Sequence, residues 1–206
     1  FFENAIAAIL IAIGFQPLQK WLTQATDKYL FKAEYNPQEV QSELSQQLGQ
    51  ALDIREAAQA LVMTIKSKVK LTRTALLTFI TEEGKTTVKD VVQDGYPDQS
   101  YLLLPPENIV IQQLMNQKSM IDTEFLRREA QALRLEDPRL PAYNAILIEL
   151  DRLGASVAIP LVVNQAVIGV FLVGQKMSGD LFSKNEIQFL NIAASQTTNA
   201  IEKSRF

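Results

Sequence analysis

The stretch ASVAIPLVVNQAVIGVFLVGQKMSGDLFSKNEIQFLNIAASQTTNAIEKSRF, residues 155–206, reads as a β-hairpin feeding a long capped helix. Two apolar runs, residues 155–163 and 166–174, flank Asn164-Gln165, and Asn tolerates the positive φ of a tight hairpin turn. Both runs are almost wholly apolar, which predicts strands covered on two faces and central in their sheet. Gly169 inside the second run predicts the close approach of another backbone or a ligand. Ser183 supplies a helix N-cap, Glu186 its reciprocal partner, and Phe182 and Ile187 the hydrophobic staple. Ile187, Leu190, Ala194, Thr197 and Ile201 then recur at helical spacing, and Phe189, Ala193 and Ala200 widen the apolar face. A helix with two usable faces can lie against its own sheet and a neighbouring subunit.

The order Ile159-Pro160-Leu161, hairpin, Ile168-Gly169-Val170, Phe182-Ser183-x-x-Glu186, Gln196, Ala200-Ile201 resembles the C-terminal half of a GAF domain, most closely those of bacterial sensor histidine kinases. The resemblance spans roughly residues 38–205. It implies an α+β fold, with a central antiparallel sheet, N- and C-terminal helices on one face, and a helical and loop insert on the other. An extended N-terminal helix would precede this domain. The resemblance further implies a parallel homodimer built by the terminal helices, through Val40, Leu44, Leu48, Leu190, Ala194, Thr197 and Ile201. Carried over by position, a small-molecule pocket beneath the insert would draw on Thr78, Phe79, Phe125, Tyr143, Ser156 and Phe171.

Composition narrows the chemistry. At 206 residues and 47% hydrophobic, the chain can bury one substantial core with helical extensions. A net charge of −3 argues against nucleic acid as a partner, since phosphate binding needs a concentrated basic surface. Lys66, Lys68, Lys70 and Arg73 form the one candidate patch, and they read as the solvated last turn of a helix whose dipole favours cations. The chain has no Cys and no His. Disulfides, thiolate zinc sites, Ser-His catalysis, a phosphoacceptor histidine and a thioether-linked bilin are thereby excluded. No enzymatic activity, cofactor or metal is expected of this chain.

Residues 1–35 read as a hydrophobic and amphipathic connector, and residues 36–206 as the sensor domain. The absence of an initiator Met reads as a fragment or processed product. Residues 5–15 are apolar without a polar side and too short to span a bilayer as a helix. They are either a buried helix or the trailing end of a membrane-embedded region. The resemblance favours the second, because in membrane-bound sensor kinases such a segment runs into a Pro-Leu pair and an amphipathic helix. Phe15-Gln16-Pro17-Leu18, followed by Trp21, Leu22, Ala25 and Tyr29 on one face, fits. A cytoplasmic domain of an inner-membrane-anchored protein follows from that comparison.

Asn36-Pro37-Gln38-Glu39 starts a helix, and Asp53 with Glu56 restarts one that shows Ala57, Leu61, Ile65 and Val69 on one face. Residues 73–81 and 85–93 read as strands around Glu82-Glu83-Gly84, the second nearer an edge. Gly84-Lys85-Thr86 imitates a P-loop end, but Phe79 stands where its first Gly should be, so a hairpin turn explains it. Residues 101–104 read as a short strand, and Pro105-Pro106 as the opening of a helix with Ile109, Val110, Leu114 and Met115. Glu124, Glu129, Glu136, Asp137, Glu149 and Asp151 have no catalytic or metal spacing and read as a solvated surface. Residues 145–153 read as a helical lid. The cyclic-nucleotide GAF signature is incomplete, since Ile187 replaces its final acid. Two functions stay open: a ligand-responsive sensor relaying to a kinase core outside this chain, or a ligand-free dimerising spacer with another output.

Overall fold

A computed structural model describes residues 35–204; the connector read over residues 1–35 lies outside them except for Tyr35. Asn36 caps α1 (Pro37–Gln50), its side chain accepting from the Gln38 amide at 3.0 Å. Pro37 occupies the first turn, where its missing N–H costs nothing. The chain breaks at Leu52 and restarts as α2 (Ile54–Val69), where Asp53 accepts from the Glu56 amide (2.8 Å) and Glu56 reaches back to the Leu52 amide (2.7 Å). Lys70 ends it in the left-handed conformation at φ 57°.

Strands β1 (Thr74–Glu82) and β2 (Lys85–Asp94) follow, then a 3-10 turn (Gln99–Leu102) and α3 (Ile109–Gln117). Next come β3 (Ile121–Asp122), α4 (Thr123–Ala132), α5 (Leu140–Leu153), β4 (Val157–Val163), β5 (Ala166–Val173) and α6 (Lys184–Ser204). The sheet order is β2-β1-β5-β4-β3 with every pairing antiparallel. Both hairpins close on two residues of positive φ, Glu83-Gly84 (50° and 77°) and Asn164-Gln165 (47° and 68°), the geometry that matches strand twist. Gly84-Lys85-Thr86 is therefore a hairpin turn.

Strand alternation divides the core into two layers. Leu76, Val157, Ile159, Leu161, Phe171 and Val173 pack beneath α1, α2 and α6. Ala75, Leu77, Phe79, Val170 and Leu172 face the insert, where Leu114, Ile146 and Leu150 are fully buried. This is the expected α+β arrangement of helices on one face and insert on the other. β5 is central, and the polar β2 lies at an edge as its composition predicts.

The insert departs from expectation in detail. Residues 101–104 form no strand; Asp98 instead caps a 3-10 turn, accepting from the Ser100 amide at 3.0 Å. α3 begins at Asn108, whose side chain takes the Val110 and Ile111 amides, rather than at the Pro pair. α5 is longer than the residue 145–153 segment, because Pro141 falls in its first turn and does not break it. The polar α4 and the two-residue β3 have no counterpart in the sequence reading. Two members of the basic run form ion pairs, Lys66 with Asp94 and Lys68 with Glu43, each at 2.7 Å.

Candidate functional site

The six residues expected around one pocket occupy three places. Phe79 is buried and Tyr143 half-buried within the layer between sheet and insert. Phe171 is fully buried in the other layer, opposite Leu76 in register and beneath the terminal helices. Thr78 shares the Leu76 face by alternation. Period-2 parity removes these two from the insert side; a position on the right strand is not yet a position on the right face. Phe125 and Ser156 line a cleft at the end of the sheet.

The seven residues read as a dimer or signalling face, Val40, Leu44, Leu48, Leu190, Ala194, Thr197 and Ile201, are all buried inside one chain. Their apolar period comes from the sheet and the neighbouring helices. What α6 turns outward is mostly polar, with Asn191, Ser195 and Asn199 exposed and Ile192 38% exposed.

The cleft has a volume of about 850 Å³ and lies between the first turn of α4, residues 154–156, and the loop that leads from β5 into α6. One wall is fixed by Asp122, which accepts from the amides of Glu124 (2.9 Å) and Phe125 (3.3 Å) and so turns β3 into α4. The Thr123 hydroxyl donates to the Ser156 carbonyl at 2.8 Å and ties that helix to β4. The opposite wall is set by the capping box of α6: the Ser183 amide donates to Glu186 at 2.7 Å and the Glu186 amide to the Ser183 hydroxyl at 3.3 Å. Lys176 donates to both Glu186 oxygens, at 2.8 and 3.0 Å, and its ammonium lies 5.4 Å from the Phe182 ring centre.

Electrostatics at the cleft are mixed. Arg128 pairs with Glu124 at 2.8 Å and Arg127 with Asp151 at 3.3 Å. Partial burial pushes the Glu186 carboxyl up, but Lys176 and the Ser183 donors outweigh it and leave it below the usual range. Phe125 and Leu181 leave 61% and 60% of their surface open in a cleft that seven charged residues also line. The loop of residues 175–184 is the part that sequence reading missed as a site. Its one signal was an apolar Leu181-Phe182 pair directly after the turn residues Gly179-Asp180.

The scattered carboxylates are held by neighbours. Arg152 keeps the Glu149 carboxyl below its ordinary range through a 2.6 Å contact, and Arg139 holds Asp137 at about 2. Among the described residues no cluster of acids is placed to hold a metal ion, and no helix is long and apolar enough to cross a membrane.

A family model described as GAF domain matches residues 53–201, beginning at the Asp53 cap of α2. No curated protein matches the sequence. Similar solved structures include residues 122 to 287 of a methyl-accepting chemotaxis protein, at 18% identity and TM-score 0.57, covering 79% of this chain and 96% of that one. The GAF domain of an Acinetobacter phosphoenolpyruvate-protein phosphotransferase matches at 12% identity and TM-score 0.55, over 81% of this chain and 93% of that one. A phycoerythrobilin-bound GAF domain from a cyanobacterial phytochrome matches at 16% identity and TM-score 0.55, over 84% and 97%.

Proposed function

We propose, from the premise that this chain belongs to the GAF domain family, that it is the sensory module of a two-component histidine kinase. Domains of this family are regulatory parts of signalling proteins and are not themselves catalytic. The kinase core lies outside this chain, the parent protein is anchored in the inner membrane, and the domain itself works in the cytoplasm as a homodimer without nucleic acid.

The observation that carries the reading is the shared core of the helices at the two ends of the domain. Val40, Leu44 and Leu48 of α1 pack in one apolar layer with Leu190, Ala194 and Ile201 of α6. A displacement of the first helix therefore presses on the 21-residue last one, which is the element that would continue toward an output domain. Close-packed interfaces pass on such shifts because they rearrange in steps and do not deform smoothly. A coupling of roughly 1–3 kcal/mol is enough for a useful response.

One observation favours the second reading, a ligand-free spacer with another output such as a cyclase, phosphatase or transcription activator. The layer beneath the insert is filled by Leu77, Phe79, Ile146, Leu147 and Leu150. Mass spectrometry of small molecules released from the purified protein, followed by hydrogen exchange before and after their removal, separates the two. Sensing is supported by a stoichiometric molecule whose loss alters exchange in α1 and α6 together. An empty protein with unchanged exchange supports the spacer.

A further inference from the structure

We infer that the cleft between α4 and the start of α6 binds a zwitterionic amphiphile, an α-amino acid with an aromatic or large aliphatic side chain. This rests on the sensing reading above and moves the site away from the layer beneath the insert. At about 850 Å³ the cleft falls in the size range of small-molecule sites, roughly 300–1,000 Å³.

The lining chooses the charge. Three cations, Arg127, Arg128 and Lys184, and four carboxylates, Asp122, Glu124, Asp151 and Asp180, surround the space. A polyanion such as a nucleotide would meet four carboxylates, and a simple cation would meet three positive groups. Most of these charges are already engaged: Asp122 by its capping role, and Arg127 and Arg128 by Asp151 and Glu124. Lys184 and Asp180 are different, for among the described residues neither forms a salt bridge. They have opposite sign and stand four residues apart, with the apolar Leu181 and Phe182 between them.

The backbone strengthens that polarity. Lys184 is the first residue of α6, where the opening amides have no acceptor within the helix and the dipole favours negative charge. The Ser183 hydroxyl and carbonyl take the Glu186 and Ile187 amides, so a ligand carboxylate placed there gains the Lys184 ammonium and the amides of Lys184 and Asn185, while a ligand ammonium is matched by Asp180. Phe125 and Leu181, more than half exposed, offer the apolar body a surface to cover. Such a ligand would join the insert to the output helix, which is where an input must act if α6 carries the signal.

The test is calorimetric titration of the whole chain with L-phenylalanine and L-leucine, with 3-phenylpropanoate and 2-phenylethylamine as half-ligands. Saturable binding of an amino acid, at least about tenfold tighter than either half-ligand, is expected from two charge-assisted contacts. Lys184→Ala should weaken the amino acid and 3-phenylpropanoate at least about tenfold yet leave 2-phenylethylamine unaffected, whereas Asp180→Ala should weaken the amino acid and 2-phenylethylamine by as much yet leave 3-phenylpropanoate unaffected. Both side chains are exposed, so an unchanged melting curve confirms the fold. Failure of both amino acids to bind, or affinities indifferent to both substitutions, overturns the assignment. Binding that leaves hydrogen exchange in α6 unaltered would keep the site and refute sensing, whereas coupled exchange in α1 and α6 without amino-acid binding would refute the site alone.

Discussion

Gly169 lies against Leu77 backbone to backbone: a Cβ added to Gly169 would stand 2.5 Å from the Leu77 carbonyl oxygen. The obstacle is the central strand pair itself, and no side-chain rotation relieves it. Gly169→Ala should cost about 1–3 kcal/mol, as overpacking in a close-packed core does. Gly49, in α1, has nothing within 4 Å, so Gly49→Ala should instead gain up to about 1 kcal/mol through helix propensity. Urea midpoints at constant slope read both signs.

The Lys176–Glu186 pair should make stability depend on acid. Its side chains are only 15% and 19% exposed, and the folded carboxyl titrates below its ordinary value. A depressed carboxyl contributes stability above its unfolded pKa, near 4.3, and loses it as pH falls through the folded value. Thermal melts from neutral to acid pH should therefore decline more steeply in the wild type than in Glu186→Gln. Ser183→Ala, which removes the other half of the box, should cost about 1 kcal/mol at neutral pH.

How much of this was legible turns on parity and on length. Ser183-x-x-Glu186, Asn164-Gln165 and Asp53-x-x-Glu56 are local arrangements, and each forms as its residues dictate. The strand of Phe171 is legible but its face is not, because an all-apolar run carries no alternation from which to read direction. The cleft is not legible because its walls, residues 119–128 and 175–187, meet through tertiary pairing, β3 with β4 and β4 with β5, and through the Thr123 hydroxyl on the Ser156 carbonyl. The polar α4 hides only Leu126 and Ala130, too few apolar positions to declare a helix.

Ile201 illustrates the same limit at the proposed dimer. Read as an inter-subunit residue, it is 0% exposed within one chain, whereas Ile192 on the outward face is 38% exposed. Ile201→Glu should bury an unpaired charge and unfold the domain, a loss of several kcal/mol. Ile192→Glu should keep the fold and, if α6 builds the dimer, halve the mass seen by light scattering. An unchanged mass would place the self-association surface elsewhere.

Leu150 tests whether the layer beneath the insert is core or pocket. It is fully buried among Leu77, Leu114, Ile146 and their neighbours. Leu150→Ala should cost about 2–5 kcal/mol if that layer is packed core. Amino acids bound at the α4–α6 cleft should raise wild type and variant alike and leave the difference between them unchanged, since they occupy a different space.

Arg73 and Tyr96 tie together three loops at one end of the sheet. The guanidinium lies 5.3 Å from the ring centre, and a Cβ on Gly154 would stand 2.8 Å from Nη1. A Cβ on Gly174 would fall 2.7 Å from Cγ, so the side chain runs between backbones that only glycine permits. A delocalised guanidinium over a ring is not reproduced by a compact ammonium, and Arg73→Lys should cost about 0.5–1 kcal/mol despite keeping the charge. Burial pushes the Tyr96 phenol up to about 12 from 10.0, against the opposing pull of Arg73. A raised folded pKa gives stability that is complete below the unfolded value and is lost as pH rises through the folded one. Denaturation followed between pH 10 and about 12 should therefore fall less steeply in Tyr96→Phe. At neutral pH that substitution should be neutral or stabilising, because the Tyr96 hydroxyl is buried without a partner among the described residues. A loss above about 1 kcal/mol would mean that this hydroxyl is satisfied after all.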